Sequence, residues 1–108
     1  MNAPDMFDFL HWADWASRAL VTLRGDGLQA TYVFPEESKA STNPAFFVDL
    51  DKNRNLGRII VWSSGNFDIS VHLNLSAEAH PMADLPKQAT DQNFKAIFDR
   101  FVSEVANG

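Results

Sequence analysis

Residues 57–74 read GRIIVWSSGNFDISVHLN, and the way this stretch folds decides the class of the whole chain. Its second half alternates strictly, with Phe67, Ile69, Val71 and Leu73 set against Asp68, Ser70 and His72. A period of two marks a strand with one buried face. The first half, Gly57 to Trp62, is apolar on both sides in its middle, as expected of an inner strand. Between them Ser63, Ser64, Gly65 and Asn66 supply turn chemistry, with Gly65 free to take positive φ. The two runs therefore predict a β-hairpin. A two-residue turn at Ser64-Gly65, or a four-residue loop over 63–66, sets Trp62 opposite Phe67 and Ile60 opposite Ile69. In that register Trp62 faces the core. Ile59 and Val61 then join Asp68, Ser70 and Phe47 on the other face, which mixes apolar with polar groups.

Outward from the hairpin the same period recurs. PAFFVDLD at 44–51 places Phe46, Val48 and Leu50 on one side and Phe47 and Asp49 on the other, and KNRN makes the turn into the hairpin. LQATYVF at 28–34 alternates Leu28, Ala30, Tyr32 and Phe34 with Gln29, Thr31 and Val33. PEESKASTN reads as a polar loop between these two strands. Before them, Pro4 and Asp5 suit a helix start, and the pattern runs to Arg24 before Gly25 and Gly27 stop it. At 100° per residue its apolar face collects Met6, Phe9, Leu10, Ala13, Ala16, Leu20, Val21 and Leu23, with Trp12 at the margin. Phe7 and Trp15 fall among the polar residues. After residue 74 the period fails across a long stretch containing Pro81 and Pro86, which reads as a connection with at most one helical turn. Thr90 then caps a helix in which Phe94, Ile97, Phe98, Phe101, Val102 and Val105 recur at helical spacing. The predicted fold is α+β: one domain over 1–108, a four-stranded antiparallel meander with the N-terminal and C-terminal helices packed on one face.

Composition narrows the function classes. A chain of 108 residues that is 45% hydrophobic and 21% charged has the make-up of a folding domain. The net charge of −5 disfavours phosphate backbones and anionic lipid, so neither nucleic acid nor membrane is an expected partner. Zero cysteines exclude disulfides, thiolate metal sites and cysteine nucleophiles. The first residues lack a basic region followed by an apolar one, and no apolar run reaches the ~18 residues of a membrane span, so the expected location is cytoplasmic.

Asp68, Ser70 and His72 suggest a nucleophilic set, but alternate strand residues lie ~7 Å apart, which argues against hydrogen-bonded catalysis. His11, His72 and His80 are scattered without metal-ligand spacing, and no phosphate loop, nucleophile elbow or zinc motif occurs. No catalytic residue, metal or cofactor is expected. Most of the acids serve solubility. The sharper reading is that Asp49, Asp51 and Asp68 ring the mixed sheet face and, with Phe47 and Ser70, bind a basic protein partner. Trp15 on the helix is a second candidate anchor, since tryptophan is enriched at interface centres; packing beneath residues 75–89 is its alternative.

The run VDLDKNRNLGRIIVWSSGNFDISV at 48–71 resembles the TriTu family of bacterial immunity proteins. The matching residues are Val48, Asp49, Leu50 and Asp51, then Gly57, Arg58, Val61 and Trp62, then Ser64, Gly65, Asp68 and Val71. The resemblance implies a non-enzymatic antitoxin of a type VI secretion system. It would bind its cognate ADP-ribosyltransferase toxin in the cytosol and occlude the active site or the target-binding surface. The family's toxin is held to modify elongation factor Tu. The free chain is expected to be a monomer. The competing class is a small acidic secretion chaperone, which would be dimeric and hold its client extended.

Overall fold

The computed structural model describes residues 6–25 and 27–107. Helix α1 spans Phe9–Leu23, strand β1 Leu28–Val33, the short helix α2 Glu36–Lys39, β2 Ala45–Lys52, β3 Asn55–Trp62, β4 Phe67–His72 and α3 Phe94–Asn107. The four strands form one sheet in the order β1-β2-β3-β4, every neighbouring pair antiparallel. The α+β meander is the one the alternation predicts. Within the segment read as a polar loop, Glu36–Lys39 closes one helical turn with a Lys39–Glu36 ion pair.

Both long helices lie on the same side of the sheet, which receives Leu28, Ala30, Phe46, Val48, Leu50, Ile59, Val61 and Val71. Phe94 is the hub of the aromatic core, with its ring 5.1–6.5 Å from those of Phe7, Trp12, Trp15, Phe46 and Phe98. Gly57 lets α3 approach β3 closely, because a Cβ there would meet the Val105 and Phe101 side chains. Asn55 is the buried polar residue of this side; its Nδ2 donates to the Val105 carbonyl at 3.0 Å and its Oδ1 accepts from the Asn74 amide at 2.9 Å.

Helix α1 is rotated from the expected face. Phe9, Ala13, Ala16 and Leu20 are buried as read, but Leu10 and Val21 are 69% and 70% exposed, while Trp12 and Trp15 turn inward. Two indole rings bury more apolar area than a leucine and a valine, so they set the helix rotation. The proposed start at Pro4 and Asp5 lies outside the described residues; the cap observed is Asp8, whose side chain accepts from the His11 amide at 3.3 Å. At α3, Thr90 caps as predicted. Its Oγ1 accepts from the Asn93 amide at 3.2 Å while Asn93 Oδ1 accepts from the Thr90 amide at 2.7 Å, a reciprocal box that satisfies otherwise orphaned donors.

The long segment between β4 and α3 is irregular after a turn at Leu73–Leu75, and it is pinned at several points. The His80 amide donates to the Val71 carbonyl at 2.6 Å and the Ala89 amide to the Gly65 carbonyl at 2.7 Å, so the segment covers the outer edge of β4. His80 Nε2 also meets Glu104 of α3 at 3.1 Å.

Candidate functional site

The hairpin register differs from the expected one by one residue. Val61 pairs with Phe67, Ile60 with Asp68 and Ile59 with Ile69, so the loop holds five residues, 62–66. The Trp62 amide donates to the Asn66 carbonyl at 2.9 Å and the Gly65 amide to the Trp62 carbonyl at 2.9 Å, closing that loop. A slip of one residue inverts a strand's faces. Ile59 and Val61 therefore lie fully buried beneath α3, and Ile60 and Trp62 occupy the side opposite the helices.

Among the described residues that side carries no helix, and the register writes its surface as a grid. One row across the strands is Gln29, Asp51, Leu56 and His72; the next is Thr31, Asp49, Arg58 and Ser70; the third is Val33, Phe47, Ile60 and Asp68. Trp62 and Ala45 follow at the end of the grid. Apolar side chains thus gather at one end and polar ones at the other. The polar end is concave, a hollow of about 400 Å³ lined by residues including Gln29, Asp49, Asp51, Arg58, Ser70 and His72.

Arg58 organises the middle of this face. Its Nε donates to Asp49 Oδ1 at 2.6 Å and its Nη2 to Asp49 Oδ2 at 2.9 Å, and its guanidinium lies 4.3 Å from the centre of the Phe47 ring. The hydrogen bonds to Asp49 raise the guanidinium pKa, with the opposing charge adding to the effect and desolvation opposing it. A bidentate pair stacked on a ring is a fixed geometry that lysine would not reproduce. Asp51 and Asp68 are exposed and have no ion-pair partner among the described residues.

Ser70 and His72 correct the distance argument made from the sequence. Ser70 Oγ lies 3.1 Å from His72 Nε2, because side chains two apart on one strand face can lean together even though their Cα atoms cannot. His72 Nδ1 is 3.0 Å from the Ser76 carbonyl, which can only accept, so Nδ1 carries the proton and Nε2 accepts from the serine in the neutral ring. Asp68 does not orient this imidazole; the Ser76 carbonyl does. The result is a fixed polar wall of the hollow, and the described residues include no group of three or more metal-ligating side chains.

Of the residues singled out, Phe47, Asp49, Asp51, Asp68 and Ser70 share the open face. Trp15 does not. It lies on the helical side, with ring centres 5.3 Å from Trp12 and from Phe98. Ile60, Trp62 and Arg58 also belong to the open face; all three share one side of β3, which the expected turn over 63–66 turned toward the core.

Fold and site together define a small α+β domain with one sheet face spent on its core and the other left open. The family model for the immunity protein TriTu matches residues 10–104, and the chain belongs to that family. Family membership gives it an immunity role, that of an antitoxin directed at a cognate toxin protein. No curated protein and no solved structure matches the chain. No helix among the described residues is long and apolar enough to cross a membrane.

Proposed function

We propose that this chain neutralises an ADP-ribosyltransferase toxin of a type VI secretion system by binding it in the cytoplasm, with the open sheet face covering the toxin's active site or target-binding surface. The observation that carries the reading is the family match over residues 10–104. The face supports it physically. It joins half-buried Phe47, Ile60 and Trp62 at one end to polar and charged groups at the other, the two kinds of group that protein interfaces combine. The free chain acts as a monomer and inhibits by occlusion, without catalysis, cofactor or metal.

The test is co-expression with the toxin-like C-terminal domain encoded by the neighbouring gene. Growth rescue, co-purification of a one-to-one complex, and loss of ADP-ribose transfer from labelled NAD to elongation factor Tu are the expected results. A toxic domain that is neither bound nor silenced by this chain overturns the pairing. Rescue with a toxin that transfers no ADP-ribose overturns the toxin class and leaves the immunity role standing.

A further inference from the structure

The helices of this protein neutralise most of their own acids. Asp14 pairs with Arg18 on α1, Glu36 with Lys39 on α2, and on α3 Asp99 pairs with Lys95 and Glu104 with Arg100. On the open sheet face Asp49 alone is matched among the described residues, by Arg58. Asp51 and Asp68 have no ion-pair partner among the described residues. They stand toward opposite ends of the face, two strands apart across the sheet and four residues apart along it. Strand spacing and rise put them about 16 Å from one another. Between them run the neutral Arg58–Asp49 pair and the ring of Phe47, with Ile60 and Trp62 beside it.

We infer that the occupant of this face is a basic, partly apolar surface of the folded toxin, with one Lys or Arg meeting Asp51 at the hollow and a second meeting Asp68 toward the opposite end of the face. The inference rests on the immunity reading for the partner being a toxin, and it adds the chemistry of the contact. The two free carboxylates act at long range and set the encounter rate. Phe47, Ile60 and Trp62 act only in contact and set the lifetime of the complex. Arg58 and Asp49 present Phe47 as a flat, covered ring, and their mutual neutrality keeps the centre of the face from carrying unpaired charge into a desolvated contact. Charge complementarity argues for this occupant over a second copy of the chain. Two such faces brought together would set Asp51 and Asp68 of one copy against a surface with the same excess of carboxylates, on a chain of net charge −5.

Binding kinetics between the full chain and an inactivated variant of the neighbouring toxin domain test this. At low ionic strength Asp51→Lys and Asp68→Lys each lower kon about tenfold, with koff little changed, and the loss shrinks as salt is raised. Glu37→Lys, the same charge change on exposed α2, has a much smaller effect on kon. Ile60→Ala and Phe47→Ala raise koff and leave the salt dependence of kon intact. Thermal unfolding of each variant separates misfolding from a lost contact, and Asp51→Asn and Asp68→Asn repeat the kon test with less perturbation. If wild type binds and the Asp51 and Asp68 variants keep wild-type kon and salt dependence, or Glu37→Lys slows binding as much, the assignment of this face is overturned and the immunity role is untouched. If wild type does not bind the toxin at all, the immunity reading fails for that pair and this inference falls with it.

Discussion

The two faces of the sheet use the same four strands under opposite constraints. On the helical side alternate residues are large, apolar and enclosed, and Gly57 is small because α3 leaves it no room. On the open side the neighbours of those residues include Thr31, Asp49, Arg58 and Ser70, held by a bidentate ion pair, a ring contact and a serine–histidine hydrogen bond. The difference separates two kinds of sensitivity. Changes on the helical side act on folding, because burial there replaces water by close-packed side chains. Changes on the open side act on what the face presents, since its groups remain within reach of solvent.

The strongest way to break this contrast is Phe94→Ala. The residue is fully buried among five other rings, and the expected loss is about 3–5 kcal/mol of unfolding free energy, read by denaturant titration. A loss below about 1 kcal/mol would mean that the aromatic hub is not packed as described. Gly57→Ala comes next. The added methyl would press on Val105 and lie 2.9 Å from Phe101 Cε1, and overpacking of this kind costs about 1–3 kcal/mol. The next residue along β3, on the open side of the sheet, gives the contrast: Arg58→Ala removes a half-exposed ion pair and is expected to change stability by no more than about 1 kcal/mol. Should Arg58→Ala prove as damaging as Gly57→Ala, the open face would be a folding element and not a presented surface.

The smallest effect concerns pH and lies away from both faces. Asp91 Oδ1 accepts from the Asp8 amide at 2.7 Å and from Trp12 Nε1 at 2.9 Å, tying the start of α1 to the approach to α3. The amide hydrogen bond from Asp8, followed by that from Trp12, lowers its pKa below the ordinary 3.8. A carboxyl depressed in the folded state contributes stability that is complete above its unfolded pKa and is lost as pH falls through the folded value. Below pH 3.8 the wild type therefore loses a contribution that Asp91→Asn lacks at every pH, and the acid limbs of the two proteins converge. Parallel acid limbs would show that this link is not formed in solution.

Particular residues show where the sequence could be read and where it could not. Phe94, Ile97, Phe98 and Phe101 recur at a spacing only a helix brings to one face, so α3 follows from local periodicity. Phe67, Ile69 and Val71 likewise assign β4 and its buried side. Trp62 is different. Gly57 to Trp62 offers apolar residues to both faces, so its own pattern does not choose a side, and the choice passes to the loop. A turn of two or four residues sends Trp62 inward; the observed loop of five sends it outward with Ile60. Trp15 fails for a related reason, because helix rotation depends on what α3 offers across the gap.

Sequence alone determined the order of elements, the α+β class, the acidic balance and, through the hairpin motif, the resemblance to an immunity family. The first three depend on short-range periodicity and composition, which each segment carries within itself, and the resemblance rests on the particular residues of 48–71. Only the tertiary structure decided which side of β3 is buried, that Trp15 belongs to the core, and that Asp51 and Asp68 stand uncompensated while Asp49 is matched. Those outcomes turn on the parity of a five-residue loop and on contacts between segments far apart in the chain, and a single strand or helix holds no record of either.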